Sequence, residues 1–190
     1  MGINWAGMSP MTCNPTHMKK TIILPLAVLS IAGFSWLAFG FFGIQALFTN
    51  QEVDESIPDA VSQAMSDGTG DSESLLGQGA FTQGDSTYTI AGQAFLTRGE
   101  VNPMLTFTDF EVSNGPDLFV YAVKSPNTDN KTVKDAVAAG DFINLGTLKG
   151  NIGNHNYELD DTFNSEDYPV IAIWCRRFGR NFGSANLADL

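Results

Sequence analysis

A cysteine and two arginines lie side by side near the C-terminal end of the chain, in the run WCRRF at residues 174–178. The preceding residues favour a β-strand, on which Ile171, Ile173 and Cys175 share one face and Arg177 joins it if the strand continues. A nearby guanidinium favours the thiolate and lowers the pKa of a thiol. The pattern predicts a partly exposed redox thiol at Cys175, with Arg177 and secondarily Arg176 stabilising the thiolate. The alternative is a buried, inert cysteine that ends a core strand.

His155 is the second candidate, in the loop-like stretch GNIGNHNY at residues 150–157. An imidazole there could bind haem iron or shuttle protons, although a lone histidine in an exposed loop more often does neither. One His and one Cys cannot supply the ligands of a zinc site. The acidic pairs at 160–161 and 166–167 lack an EF-hand pattern and are typical of solvated turns. We therefore predict no metal site.

The elements that position these residues are predicted from alternating apolar and polar residues that begin at Gly79. A turn is expected at 114–117 and one helix at Val133–Ala139, ended by Gly140. The pattern predicts an all-β domain at 79–190, an antiparallel sandwich or barrel with one short helix. The clearest strands are 86–97, 104–112, 118–123 and 170–175; weaker ones are 142–148 and 156–159, and 182–187 closes the sheet.

The N-terminal region contains an apolar run at residues 21–48 without a charged residue. A bilayer core of about 30 Å needs only ~20 apolar residues. Lys19 and Lys20 precede the run and no Lys or Arg follows until Arg98, so the positive-inside rule predicts a single-pass anchor in the cell membrane with the C-terminal domain outside the cytoplasm. Residues 1–20 are then a cytoplasmic tail, unless the natural start is Met18. The alternative, a cleaved signal peptide, also exports the domain.

Acidic residues dominate the charge of the chain, whose formal net charge is −11. This balance argues against nucleic-acid binding, which depends on Lys and Arg. Residues 49–78 are interpreted as an acidic stalk or linker, either helical or disordered. The helical alternative rests on an apolar stripe with helical spacing. The stripe consists of Ile57, Ala60, Val61, Ala64 and Met65.

Cys13 and Cys175 lie on opposite sides of the predicted membrane segment and cannot pair with each other.

Three separated motifs resemble the DM-thirteen domain family in their order and spacing. They are NGPDL at 114–118, LGTLKGNIG at 145–153 with Tyr157 after it, and WCRRF at 174–178. The opening Gly79-Ala80-Phe81 is also similar, so that the resemblance covers about residues 77–190.

The resemblance implies an extracytoplasmic β domain with a proposed role in electron transfer, centred on Cys175. That residue would act as a thiol or would ligate haem. If haem is bound, His155 is the other candidate ligand on the chemistry of its side chain. A separate redox protein must then supply the electrons, because no second redox domain accompanies the motifs here. The alternative is a non-catalytic cell-surface binding or adhesion module, with a cell-surface protein as partner and a structural Cys175. Both interpretations favour an electron-transfer or binding module over an enzyme with its own substrate.

Overall fold

The computed structural model describes residues 15–37, 49–67 and 74–187. The chain divides into two units, Met1–Gly43 and Ile44–Leu190. Helix α1 (Pro15–Trp36) belongs to the first unit. The second unit contains, in order, β1 (Glu52–Asp54), α2 (Asp59–Asp67), β2 (Leu75–Ala80), β3 (Thr82–Gln83), β4 (Ile90–Thr97), β5 (Met104–Val112), β6 (Leu118–Val123), α3 (Asn130–Ala139), β7 (Phe142–Thr147), β8 (Ile152–Glu158), β9 (Val170–Cys175) and β10 (Arg180–Asn186).

The strands form two five-stranded sheets. The first sheet has the order β1-β8-β5-β4-β2, and the second has the order β3-β10-β9-β6-β7. Strand β1 pairs with β8 in parallel, and the other strand pairs of the described residues are antiparallel. The mostly β fold predicted from the alternating pattern is therefore confirmed.

A single apolar cluster joins the facing sides of the two sheets. Leu105 and Phe107 reach it from the first sheet, and Ile171, Ile173 and Cys175 reach it from the second. All five side chains are buried. The last three share one face of β9, as the two-residue period of a strand requires. The arrangement is a β-sandwich in which Cys175 points into the core.

Helix α3 covers the outer face of the second sheet. Its buried Val133 lies in one cluster with Tyr121 and Trp174, which project from the side of the sheet opposite the core. The helix begins after Asp129, whose carboxylate accepts backbone hydrogen bonds, and ends at Gly140 with φ 85°. The predicted short helix and its glycine terminus are confirmed.

Residues before the predicted domain boundary also belong to the sandwich unit. Strand β1 extends the first sheet, and Gly153 permits its approach, since a Cβ there would lie 1.9 Å from the Val53 carbonyl oxygen. Val61 and Ala64 of α2 are buried against β2 and β4, whereas Met65 is exposed. The helical alternative for the stripe is the one observed. Position 79 is not a structural break, because β2 runs from Leu75 to Ala80.

The predicted membrane segment lies only partly within the described residues. Helix α1 covers its first part, while residues 38–48 lie outside the described residues. Within the described ranges, no helix combines the length and the apolar character needed to cross a membrane.

Candidate functional site

The site is built on a hairpin between the last two strands. Strand β9 ends at Cys175, which pairs with Arg180 at the beginning of β10. Residues 176–179 form the connecting turn, where Gly179 takes a φ of 59° at which a side chain would be strained. Since the strand stops at Cys175, Arg177 does not continue its inward face. The condition under which Arg177 was expected to join that face is therefore not met.

A second turn, at residues 114–117, closes over the hairpin. The Arg176 N–H donates to the Asp117 carbonyl at 3.1 Å, and Leu118 pairs with Cys175 across β6 and β9. Gly115 lies against the ring of Phe182, where a Cβ would come within 2.7 Å of the ring edge. The small residue thus allows the turn to seat on β10. Two motifs separated by almost 60 residues in sequence meet here.

The thiol of Cys175 connects these two turns. Its S–H donates to the carbonyl oxygen of Pro116 at 3.1 Å. Backbone N–H groups of Phe178 and Arg177 donate to the sulfur in return. The sulfur therefore accepts from the tip of the hairpin and donates to the 114–117 turn, which gives a buried thiol polar partners on two sides.

Burial, rather than the arginines, controls the protonation of this thiol. Cys175 is 0% exposed, so the expectation of a partly exposed thiol is wrong. Removal from solvent raises the pKa of Cys175 above its usual range, although the two backbone N–H groups oppose this. The Asp117 carboxylate raises the pKa further, and the Arg177 guanidinium lowers it only weakly. The predicted lowering is therefore also wrong, because the cost of burying a charge exceeds the attraction of Arg177.

Arg176 is engaged away from the sulfur. Its Nε and Nη2 atoms each lie 3.3 Å from a carboxylate oxygen of Asp117. Its guanidinium carbon also lies 4.3 Å from the centre of the Phe119 ring, on the outer face of the second sheet. Arg176 therefore holds the 114–117 turn to the hairpin from outside, while the Cys175 thiol holds it from inside.

An open cleft of about 520 Å³ lies beside the 114–117 turn. Asn114 and Asp117 line it from the turn, Thr147 and Gly150 from the second motif, and Asn50 from the segment before β1. The side chain of Asn151 closes the back of the cleft, where it accepts from Gln51 N–H at 2.7 Å. Four residues with amide side chains, Asn50, Gln51, Asn114 and Asn151, are among the lining residues, and Cys175 is not.

His155 lies in the core and not in a loop, so its predicted exposed position is wrong. It occupies β8, is 0% exposed, and its ring centre lies 5.3 Å from that of Phe110 and 6.1 Å from that of Phe107. Nε2 is 3.4 Å from the Ile152 carbonyl oxygen, but Nδ1 has no hydrogen-bond partner. Burial lowers the pKa of His155, and the imidazole is therefore neutral at physiological pH.

Haem ligation by these two residues does not fit the geometry. An axial ligand must face a space that admits a porphyrin, whereas the Cys175 sulfur faces the Pro116 carbonyl inside the core. His155 is enclosed by aromatic rings. Neither residue lines the cleft beside the 114–117 turn or the two smaller clefts beside Thr87 and Asn154. In the same part of the chain, no group of three or more His, Cys, Asp or Glu side chains is placed to hold a metal ion.

Comparison with known protein families gives a match over the sandwich domain. The family model described as electron transfer DM13 matches residues 81–187, more than half of the chain. The chain belongs to the DM13 family. No curated protein and no solved structure shows significant similarity to it.

The resemblance inferred from the three motifs is thus confirmed, and the structure shows how the DM13 motifs relate in space. NGPDL and LGTLKGNIG line the same cleft, and the first of them receives the Cys175 S–H. Lys149 of the second motif donates its N–H to the hydroxyl of Tyr157 at 3.2 Å. The motifs therefore surround one end of the sandwich.

Glu55 binds Lys149 of the LGTLKGNIG motif, and sequence reasoning missed this contact. Its carboxylate binds Lys149 Nζ at 2.7 Å and accepts the Asn156 N–H at 2.6 Å. Burial raises the pKa of Glu55, but these hydrogen bonds and the Lys149 charge leave it lowered overall. Glu55 follows β1 in a segment interpreted as a stalk, and no local pattern distinguishes it from the other acids there.

Proposed function

We propose that this chain presents an electron-transfer DM13 domain outside the cytoplasm from an N-terminal membrane anchor, and that Cys175 is the redox-active group. The family assignment supports the electron-transfer role. The observation that carries the role of Cys175 is its position. Its sulfur has polar contacts with the 114–117 turn and with the hairpin tip, both of which lie in motifs that resemble the family.

A single thiol can exchange electrons only with a partner. In this proposal the Cys175 thiolate attacks a disulfide of a separate extracytoplasmic redox protein. The S–S bond breaks, a mixed disulfide forms, and one partner thiolate leaves. A thiolate of a second redox protein, which carries two thiols, then attacks the Cys175 sulfur, releases the first partner as a dithiol and forms a new mixed disulfide. The other thiolate of that second protein displaces Cys175 as a thiolate and closes a disulfide, so two electrons pass from the second protein to the first. Since the thiol is buried, the hairpin tip must move away from Pro116 before the attack.

The proposed anchor is supported by the composition of the N-terminal unit. Leu29, Ile31, Phe34 and Trp36 of α1 are each at least 67% exposed. Apolar side chains that face outward along a helix are favourable in lipid and unfavourable in water. Protease added to intact cells is expected to release a fragment of the size of the domain. Protection that is lost only on lysis would contradict the proposed orientation.

The redox role is tested in the full chain carrying Cys13→Ser, in which Cys175 is the only thiol. Its exchange with a small aromatic disulfide is measured beside the hydrogen exchange of β5 amides, which reports opening of the core. A thiol reaction faster than core opening, abolished in Cys175→Ser, supports the proposal. A reaction that only keeps pace with core opening would contradict it.

A second candidate function is a non-catalytic binding or adhesion module. The full burial of Cys175 and its hydrogen bond to Pro116 favour this alternative, because an inert cysteine can serve simply to join two turns. On this alternative, Cys175→Ser keeps partner binding on cells, whereas substitutions in the cleft, such as Asn114→Ala, reduce it.

A further inference from the structure

The tip of the β9–β10 hairpin combines an exposed aromatic ring with clustered arginines. Phe178 is 54% exposed, although most large apolar side chains of the sandwich unit are buried. Arg176, Arg177 and Arg180 lie within three residues of it. We refer to residues 176–180 as the basic tip. Such a cluster is unusual in a chain with a net charge of −11.

The acidic groups around the basic tip offset only part of its charge. Asp117 binds Arg176, and Asp85 lies 3.7 Å from Arg180 and 3.2 Å from Lys134. Three cations, Arg176, Arg180 and Lys134, thus share two carboxylates. The Arg176 and Arg180 side chains remain 59% and 52% exposed, which leaves their guanidinium groups accessible to further anions.

The basic tip lies at the end of the sandwich where the chain enters it. Asn50 is hydrogen-bonded to Asn114 at 2.7 Å, and Thr49, Asn50 and Asp117 line one cleft. Asp117 in turn binds Arg176 of the basic tip. The apolar run ends at Phe48, one residue before Thr49. If that run is inserted in a bilayer, this end of the sandwich is held near the membrane surface.

We propose that the basic tip docks on anionic phospholipid headgroups of the bilayer that anchors the chain. The arginines bind headgroup phosphates, and Phe178 inserts at the interface, where aromatic rings are favoured. Tethering through residue 49 keeps this surface at a high effective concentration, which favours lipid over a soluble acidic protein. This inference rests on the anchoring in the proposed function. It predicts that the domain stands on the membrane with its Cys175 end facing the lipid.

Photocrosslinking in the reconstituted full chain tests the contact directly. Phe178 is replaced by the photoreactive analogue benzoylphenylalanine, and the chain is inserted in vesicles of phosphatidylcholine with or without phosphatidylglycerol. The matched control carries the same analogue at Val101, which is 85% exposed in the β4–β5 connection at the opposite end of β5. Mass spectrometry then identifies what each position captures.

Lipid adducts at position 178 but not at 101, severalfold more abundant with phosphatidylglycerol and severalfold reduced by Arg177→Gln, support the proposal. Equal lipid capture at the two positions, no lipid capture at 178, or capture of a second copy of the chain overturns it. Flotation of the vesicles after a carbonate wash distinguishes loss of the membrane anchor from loss of the docking. A chain that does not float has no anchor, and both the proposed anchoring and the docking then fail. A chain that floats without lipid adducts at 178 retains its anchor and loses the docking.

Discussion

Cys175 and His155 are both 0% exposed and face the same core, yet their polar atoms differ in their hydrogen-bond partners. The Cys175 sulfur has partners in two turns, Pro116 on one side and the hairpin tip on the other. His155 has one long hydrogen bond and an Nδ1 atom without a partner, among aromatic rings. The Cys175 region therefore joins chain segments through polar contacts, whereas the His155 region depends on packing.

The two residues also differ in the pH range in which they destabilise the fold. Burial favours the neutral form of each group, so it raises the pKa of the acidic Cys175 thiol and lowers the pKa of the basic His155 imidazole. The folded protein thus holds both groups uncharged at neutral pH. Each group destabilises the fold when the unfolded chain can ionise it, Cys175 in alkali and His155 in mild acid.

The largest effect is expected from removing an aromatic wall of the His155 region. Phe110→Ala deletes a ring that is 1% exposed and packs on Phe107, Phe81 and His155. Large-to-small changes of this kind cost about 3–5 kcal/mol of unfolding free energy. Urea unfolding followed by circular dichroism measures the loss. Phe178→Ala, at an exposed ring, is the control and should change the unfolding free energy by no more than about 0.5 kcal/mol. Equal losses in the two variants would contradict a packing-dominated core.

A smaller change in unfolding free energy is expected from substituting the side chains of Cys175 and His155. Cys175→Ala leaves the Pro116 carbonyl and two backbone N–H groups without their buried partner, which costs about 1–3 kcal/mol of unfolding free energy. His155→Leu removes an imidazole whose Nδ1 already lacks a partner, and replaces it with an apolar side chain in an aromatic environment. We expect that variant to be near neutral at pH above 7. The same urea experiment compares them. A larger loss in His155→Leu than in Cys175→Ala would reverse the comparison.

The difference between the regions marks the limit of what local sequence predicts. Strands β5, β6 and β9 follow from runs rich in β-branched and aromatic residues and from flanking turns, and their bounds agree with the predicted ones. The depth of Cys175 does not follow from its strand, because a turn about 60 residues earlier in the sequence closes over the sulfur. The glycines and asparagines around His155, among them Gly150 and Gly153, are typical of turns and predict a loop. In the structure, Gly153 instead admits the neighbouring strand β1.

That neighbouring strand lies before the predicted N-terminal boundary of the domain, and the local sequence does not predict it. Residues Glu52–Asp54 pair with Ile152–Asn154, about 100 residues later, in the parallel connection of the first sheet. A three-residue strand has too few residues for a visible alternation. The helical stripe of α2 was recognisable, but its partners Leu75 and Phe95 lie on other elements. Local periodicity shows that a face is apolar and not what covers it.

A smaller effect is expected in the pH dependence of the unfolding free energy, to which His155 contributes. The pKa of His155 is lowered from 6.5, so above that pH its full contribution to stability is present. As the pH falls below 6.5 the unfolded chain binds a proton that the folded chain excludes, and stability decreases until the folded pKa is reached. Each unit of lowering is worth about 1.4 kcal/mol. Between pH about 7 and 5, His155→Leu should flatten the decline in unfolding free energy. Cys175→Ala, the control, should leave that decline unchanged.

The smallest effect concerns the arginines beside Cys175. Arg177 lowers the pKa of the thiol as the weakest of its influences, while Arg176 is held by Asp117 and Phe119. In a Cys13→Ser background, Arg177→Gln should therefore raise the thiol pKa by well under one unit, and Arg176→Gln should change it less. The thiolate absorbance, titrated as a difference against Cys175→Ala, measures both. The two substitutions remove the same charge at adjacent positions, so their difference reports proximity to the sulfur. A rise of a full unit or more in the thiol pKa of Arg177→Gln would place the Arg177 guanidinium in contact with the thiolate. That result would contradict the conclusion that burial controls the pKa of Cys175.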